Sequence, residues 1–315
     1  MIRIGKIRLV FFALVIFFAG AKNIWAAELD NQSKGVSITP FLREIDLAED
    51  KQEESFPVTV ENNSASSVQI TFSVADFGSL DETGGILFLG SEKSLANKYN
   101  LASWVELSDS AVTLASGEKR SVTVKIINKD DLSPGGHYGM LVASVENITN
   151  GGENAVTDIK LNSKVTSLIF LRKTGGEIYA LGIRKERKET TFFSLPKKLR
   201  LYFENTGNVH VTSRGFVSVL DPWGREIERG IINVESGIIL PGSSRVLPVD
   251  LMTRSMAFFP GKYKLVIQYR YDGRDDFMVM EDDFFFFPVV AGVGVGIIFL
   301  LSVYAIVGWL IKKRK

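Results

Sequence analysis

SGEKRSVTVKI, residues 116–126, decides how the rest of this chain is read, because it returns in altered form as PGSSRVLPVDL at 241–251. Counting from the turn glycine of each copy (Gly117 or Gly242), Arg120 and Arg245 both stand three residues on, and Val122 and Leu247 five. Val124 and Val249 stand seven on, Ile126 and Leu251 nine. Apolar residues at every second position after a tight turn describe a strand with one buried face. A tyrosine stands 21 residues beyond each glycine, Tyr138 in PGGHYGMLVASV (134–145) and Tyr263 in PGKYKLVIQYRY (260–271). Upstream, each half also has a strand ending in Glu-Asn, VTVENNSAS (58–66) and LYFENTGNVH (201–210). Four landmarks in one order indicate two copies of one topology.

Period-two alternation continues outside the repeat, in FPVTVEN (56–62), VQITFSVADF (68–77), VTVKII (122–127) and KLVIQYRY (264–271). Turn clusters such as NNSASS, SPGG, TNGGEN and DGRDD bound these runs. Short strands at this spacing, without long amphipathic helices between them, predict an all-β chain of two tandem immunoglobulin-like β-sandwiches. EKSLANKYNLASW (92–104) is the best candidate for a short helix or irregular insertion, and residues 76–103 read as an insertion in the first copy. Gly175-Gly176 marks the boundary, giving a first sandwich over 28–174 and a second over 177–287.

The two ends point to a membrane. Residues 1–27 combine a basic head (Arg3, Lys6, Arg8), a twelve-residue apolar run and a small-residue end, as in a secretory signal peptide. Phe284 to Ile311 carries no charge, and Lys312, Lys313, Arg314 and Lys315 follow at once. This predicts a transmembrane helix over 288–311 and a cytoplasmic basic tail over 312–315, with residues 28–287 on the outer side. Gly292 and Gly296 form a GxxxG in the span; a glycine-rich helix without a partner is the preferred reading over helix pairing.

The chain contains no cysteine, so packing alone must stabilise an exported fold, and thiol catalysis and cysteine-linked lipid anchoring are excluded. Net charge divides unevenly: residues 28–176 hold 13 basic and 21 acidic side chains, residues 177–287 hold 16 and 15. Neither half has the basic surplus of a nucleic-acid-binding protein. The only histidines are His137 and His210, one in each half. In LSPGGHYG (132–139) the second copy has Lys262 where the first has His137, so Pro-Gly-x-Tyr is the repeated feature and the histidine is incidental to it, without a second group to work with. Asp130-Asp131, DGRDD (272–276) and EDD (281–283) lack the spacing of a calcium loop, and RKERKE (184–189) with Lys197-Lys198 reads as a solvated mixed-charge edge. Asn31, Asn62 and Asn147 head N-x-S/T triplets to which no glycan is assigned. No catalytic, metal or cofactor residue is assigned.

As a whole, the layout resembles the WxL-interacting proteins of bacterial cell surfaces. FPVTVENNS (56–64), WVELSDSAVTLASGEKRSVTVKI (104–126) and SPGGHYG (133–139) carry the likeness in the first domain. FENTGNVHVTSRGFVSVLD (203–221) and FPGKYKLVIQY (259–269) carry it in the second. The resemblance implies a non-enzymatic, single-pass surface protein whose first domain contacts peptidoglycan and whose second contacts surface proteins. It transfers no binding residue, and the 76–103 insertion departs from it. A pilus-chaperone-like assembly factor for exported proteins, or a subunit of a membrane complex, is the competing expectation.

Overall fold

The computed structural model describes residues 35–90, 98–129, 132–147, 163–184 and 194–313. The first half contributes β1 (Val36–Thr39), β2 (Leu42–Leu47), β3 (Glu53–Asn62), β4 (Val68–Ser79), β5 (Ile86–Gly90), β6 (Val105–Leu107), β7 (Ala111–Leu114), β8 (Lys119–Ile127), β9 (Gly135–Asn147) and β10 (Ser163–Lys173). The second contributes β11 (Leu181–Arg184), β12 (Lys198–Asn205), β13 (Val211–Leu220), β14 (Glu226–Ile232), β15 (Ile238–Ile239), β16 (Ser244–Asp250), β17 (Met252–Thr253), β18 (Gly261–Tyr271) and β19 (Met278–Phe286). One long helix, α1 (Val289–Lys313), follows.

Each half packs two sheets face to face. In the first half β1-β3-β8-β6 faces β2-β10-β9-β4-β5, with β7 also on β4; in the second β11-β12-β16 faces β17-β14-β13-β18-β19, with β15 on β13. Among the named strands pairing is antiparallel except between β2 and β10, where the chain has crossed from one sheet to the other after β1; one isolated parallel bridge joins Asn100 to Tyr138. The repeat behaves as its alternation predicts: Val122, Val124 and Ile126 of β8, and Leu247, Val249 and Leu251 in and after β16, are all buried. They belong to two separate cores, one centred on Phe56, Ile70 and Leu141, the other on Phe203, Val217 and Ile267. β9 differs from an ordinary sandwich strand in being buried on both faces. Leu141, Ala143 and Val145 enter the first core, while Tyr138, Met140 and Val142 point the other way into a third cluster with Phe77 and Phe170.

The Glu-Asn landmark turns out to be a hydrogen-bonded hub whose main contacts recur in both halves, with two extra at Asn62, from Nδ2 to the Ala115 carbonyl (3.0 Å) and from the Ser64 hydroxyl to Oδ1. Asn62 accepts on its carbonyl from the turn glycine Gly117 (2.7 Å), as Asn205 does from Gly242 (2.8 Å). The Nδ2 of Asn62 donates to the carbonyls of Leu114 (3.2 Å) and Ser66 (2.8 Å); that of Asn205 donates to Ile239 (2.9 Å) and Val209 (2.8 Å). Oδ1 accepts the N–H two residues on, from Ser64 or Gly207. Both side chains are fully buried, so Asn62 is a structural group. The glycines sit at φ +76° and +70°, where a side chain is strained.

The stretch 92–104, expected to be a short helix or an irregular insertion, is irregular over its described residues, which make a turn and a single 3₁₀ turn at Ala102–Trp104. Two expectations need adjustment. The insertion expected over 76–103 begins as an unbroken extension of β4, whose residues 76–79 pair with β5. The helix runs two residues past the expected 288–311, since Lys312 and Lys313 continue the last turn, where cations suit the helix dipole. The signal segment 1–27, Asp130-Asp131, and 185–189 of the basic cluster lie outside the described residues.

Asn62→Ala and Asn205→Ala should each lower stability by on the order of 2–4 kcal/mol, because several buried carbonyls and an N–H lose their partner at once. Denaturant midpoints for the two variants will show it, and costs of similar size are expected because the shared contacts recur at both sites.

Candidate binding edge and the interdomain joint

The two sandwiches are joined end to end. β9 begins and β10 ends at the lower end of the first sandwich, and there Gly136 N–H donates to the Asn208 carbonyl (2.7 Å). The Asn208 side chain in turn accepts from Ile178 N–H (2.6 Å) and donates to the Gly176 carbonyl (2.8 Å). The Tyr138 hydroxyl accepts from His210 N–H (2.8 Å) and stands 3.2 Å from His210 Nδ1, to which it donates when the neutral ring carries its proton on Nε2. The His210 ring meets Phe170 edge-on at 5.1 Å. Burial, with Arg172 as the next cause, pushes His210 down to about 4; burial also pushes the Tyr138 hydroxyl well up. Both groups are therefore neutral across the physiological range, as the hydrogen bond between them requires. Arg172 braces the joint through Asp46 (2.5 Å) and Tyr179 (2.8 Å).

The β4–β5 hairpin is the second contact. Its turn is fixed by Leu80 N–H to the Gly85 carbonyl (2.8 Å) and Thr83 N–H to Asp81 Oδ1 (2.8 Å), with Gly84 at φ +84°. From this turn Glu82 reaches the second sandwich, its carbonyl accepting from Val246 N–H (2.6 Å) and its carboxylate pairing with Arg184 (2.8 Å). Between hairpin and joint lies a mainly apolar cavity of about 150 Å³, lined by Phe77, Ile86, Leu168, Phe170, Ile238 and Leu240 among others. Beyond the cavity, β5 is an edge strand: among the described residues only β4 pairs with it. Ile86, Leu87 and Phe88 are exposed in succession, and so is Leu80 in the turn.

The residues singled out in the sequence fare differently. His137 is a strand residue, wholly buried, and its two ring nitrogens face the carbonyls of Asn100 (2.9 Å) and Ser133 (2.8 Å) with Trp104 against the ring. It latches the segment before β6 onto β9, and burial pulls its pKa below the usual histidine value against those two carbonyls. His210, expected to be remote, stands on the neighbouring Tyr138, because the end-to-end joint brings the two halves' landmarks together. Members of two of the carboxylate clusters are engaged: Asp272 accepts from Thr212 N–H and Arg214, Glu281 pairs with Lys264 and Asp283 with Lys262. Lys197 and Lys198 pair with Glu228 and Asp250. Among the described residues no three acidic or histidine groups are placed to hold a metal ion. The β5 edge was missed, because an exposed apolar triplet reads in sequence like any buried strand.

The joint should be acid-sensitive. The folded pKa of His210 lies below its ordinary value, so its contribution is intact above about pH 6.5 and is lost as pH falls toward 4, on the order of 2 kcal/mol at pH 5. His210→Gln keeps an acceptor for Tyr138 and does not titrate. Its thermal midpoint should fall less than that of the parent between pH 7.5 and 5, the remaining fall belonging to His137.

No family model matches the chain, and no curated protein matches it. Among solved structures, the class 5 fimbriae chaperone CfaA is 12% identical over 79% of this chain and 99% of its own, with a TM-score of 0.44. The Salmonella enterica SafA pilin–SafB chaperone complex gives 9% identity over 80% and 96%, TM-score 0.38. A Porphyromonas gingivalis protein of unknown function gives 12% over 79% and 98%, TM-score 0.29. At these values the similarity is one of strand arrangement and does not bear on what this chain binds.

Proposed function

We propose that the chain is a membrane-tethered, extracytoplasmic binding protein that takes an extended segment of an exported or surface polypeptide as an added strand on β5. The exposed apolar edge of β5 carries this reading. Sheet edges present unpaired backbone groups that natural proteins blunt with charge, proline or a bulge. Here Ile86, Leu87 and Phe88 are exposed in a row, while the hairpin turn is anchored to the second sandwich through Glu82. Strand addition draws affinity from main-chain hydrogen bonds and specificity from pockets beside the edge, and the cavity bordered by Ile86 is such a pocket. α1 is long and apolar enough to cross a membrane, and its closing lysines suit a cytoplasmic end.

The peptidoglycan ligand implied by the resemblance draws no support from this patch, since an apolar backbone edge suits a polypeptide better than a hydroxyl-rich glycan. The assembly-factor alternative uses the same edge and differs only in how long the partner stays. A photo-crosslinking residue at Phe88 in whole cells should give a discrete adduct with one exported or surface protein, strongly reduced by Leu87→Lys and absent from the same probe at Val234. Equal labelling at both positions would refute strand addition. Sedimentation of the full chain with isolated peptidoglycan, unaffected by Leu87→Lys, would point to the wall instead.

A further inference from the structure

The end-to-end repeat leaves one end of the second sandwich uncovered. In the first sandwich the end where β9 starts and β10 finishes, with Gly135 opposite Lys173, is capped by the second sandwich. The equivalent end of the second is where β18 starts and β19 finishes, with Gly261 opposite Phe286. There the chain does not enter another domain; Phe287 and Pro288 lead straight into α1 at Val289. This end is rich in apolar groups. Trp223 in the β13–β14 turn is 64% exposed, and Phe258 and Phe259 in the loop before β18 are 47% and 52% exposed. Met256 in the same loop and Phe285 on β19 are exposed as well. Trp223 and Phe259 stack edge to face at 4.9 Å, so the turn and the loop form one surface. Just above it, Lys262–Asp283 (2.8 Å) and Lys264–Glu281 (2.7 Å) form a band of paired charge.

We infer that this aromatic end of the second sandwich rests in the headgroup layer of the membrane that α1 crosses, so that the ectodomain stands on the bilayer surface instead of swinging above it. The inference rests on the reading of α1 as a membrane span. Two residues, Phe287 and Pro288, separate Phe286 from Val289, and the three Cα steps reach at most about 11 Å at full extension. Gly261 pairs with Phe286, so the aromatic loop joined to Gly261 is held close to the level at which the helix enters the bilayer. Tryptophan and other aromatic side chains favour that boundary, where an apolar body and a wet rim are both accommodated. The charged band one rung higher marks the water side. A soluble partner would have to approach within this short distance of the lipid, whereas the lipid itself is already there.

The absence of cysteine makes the test direct. The full chain is placed in nanodiscs of phosphatidylethanolamine and phosphatidylglycerol with an environment-sensitive fluorophore on Phe258→Cys, Val234→Cys or Leu301→Cys. Some lipids carry spin labels near the headgroup, others near the acyl-chain ends. The Phe258→Cys probe should be blue-shifted and lose emission to the shallow spin label, while the Val234→Cys probe, at the opposite end of the same sandwich, keeps water-like emission. Loss of Leu301→Cys emission to the deep label reports on the span separately. If that occurs while Phe258→Cys behaves like Val234→Cys, the headgroup contact is refuted and the span stands. If Leu301→Cys is quenched by neither label, the span and the contact fall together.

Discussion

The hydroxyl of Tyr138 holds this molecule in one arrangement. It accepts from the backbone of His210 and donates to the ring of the same residue, so both of its hydrogen-bonding roles are used across the boundary between the sandwiches. Tyr138 can donate to this ring only while Nδ1 is unprotonated, and burial beside Tyr138 and Phe170 favours the neutral ring. Further contacts between the halves reinforce the same arrangement. The Asn208 loop closes on Gly136, the Arg172 side chain bridges Asp46 and Tyr179, and the β4–β5 hairpin reaches Val246 and Arg184. The equivalent Tyr263 has no domain beneath it, and its hydroxyl donates to the Phe259 carbonyl in its own loop.

This difference between two equivalent tyrosines organises the chain as a stack. One sandwich stands on the next, and the second stands where the helix begins. The stack explains why β9 is apolar on both faces. Its outer face lies under the third hydrophobic cluster, to which Ile238 and Leu240 of the second sandwich contribute. It also explains why the hairpin can present an apolar edge without losing its own shape, since its turn is tied down at Glu82 while the edge of β5 stays outside. A stiff edge suits capture of an extended polypeptide, because less ordering entropy is lost on binding than at a mobile loop.

Much of the fold was legible in the sequence for a simple reason. Alternation at β3, β8, β16 and β18 is dictated by the pleat, and glycine at Gly117 and Gly242 by a backbone angle that other residues resist. These are local demands, so they leave a local mark, and the mark appears twice. The Glu-Asn landmarks at Asn62 and Asn205 were visible as positions, but their hydrogen-bonding roles depend on turns some fifty and thirty residues away, at Leu114 and Ile239. The long apolar helix α1 was legible because an apolar run followed by four cations needs no tertiary context.

The sequence by itself determined two β-sandwich repeats, their turns, their inward-facing residues and a terminal apolar helix, since each depends on periodicity or on the chemistry of one residue type. Tertiary structure alone decided that His210 meets Tyr138, that His137 is a buried latch, and that Ile86, Leu87 and Phe88 face outward while similar triplets elsewhere face a core. These are matters of which surfaces approach one another. Distance along the chain carries no record of that, because burial depends on the partner surface and the residue alone does not specify it.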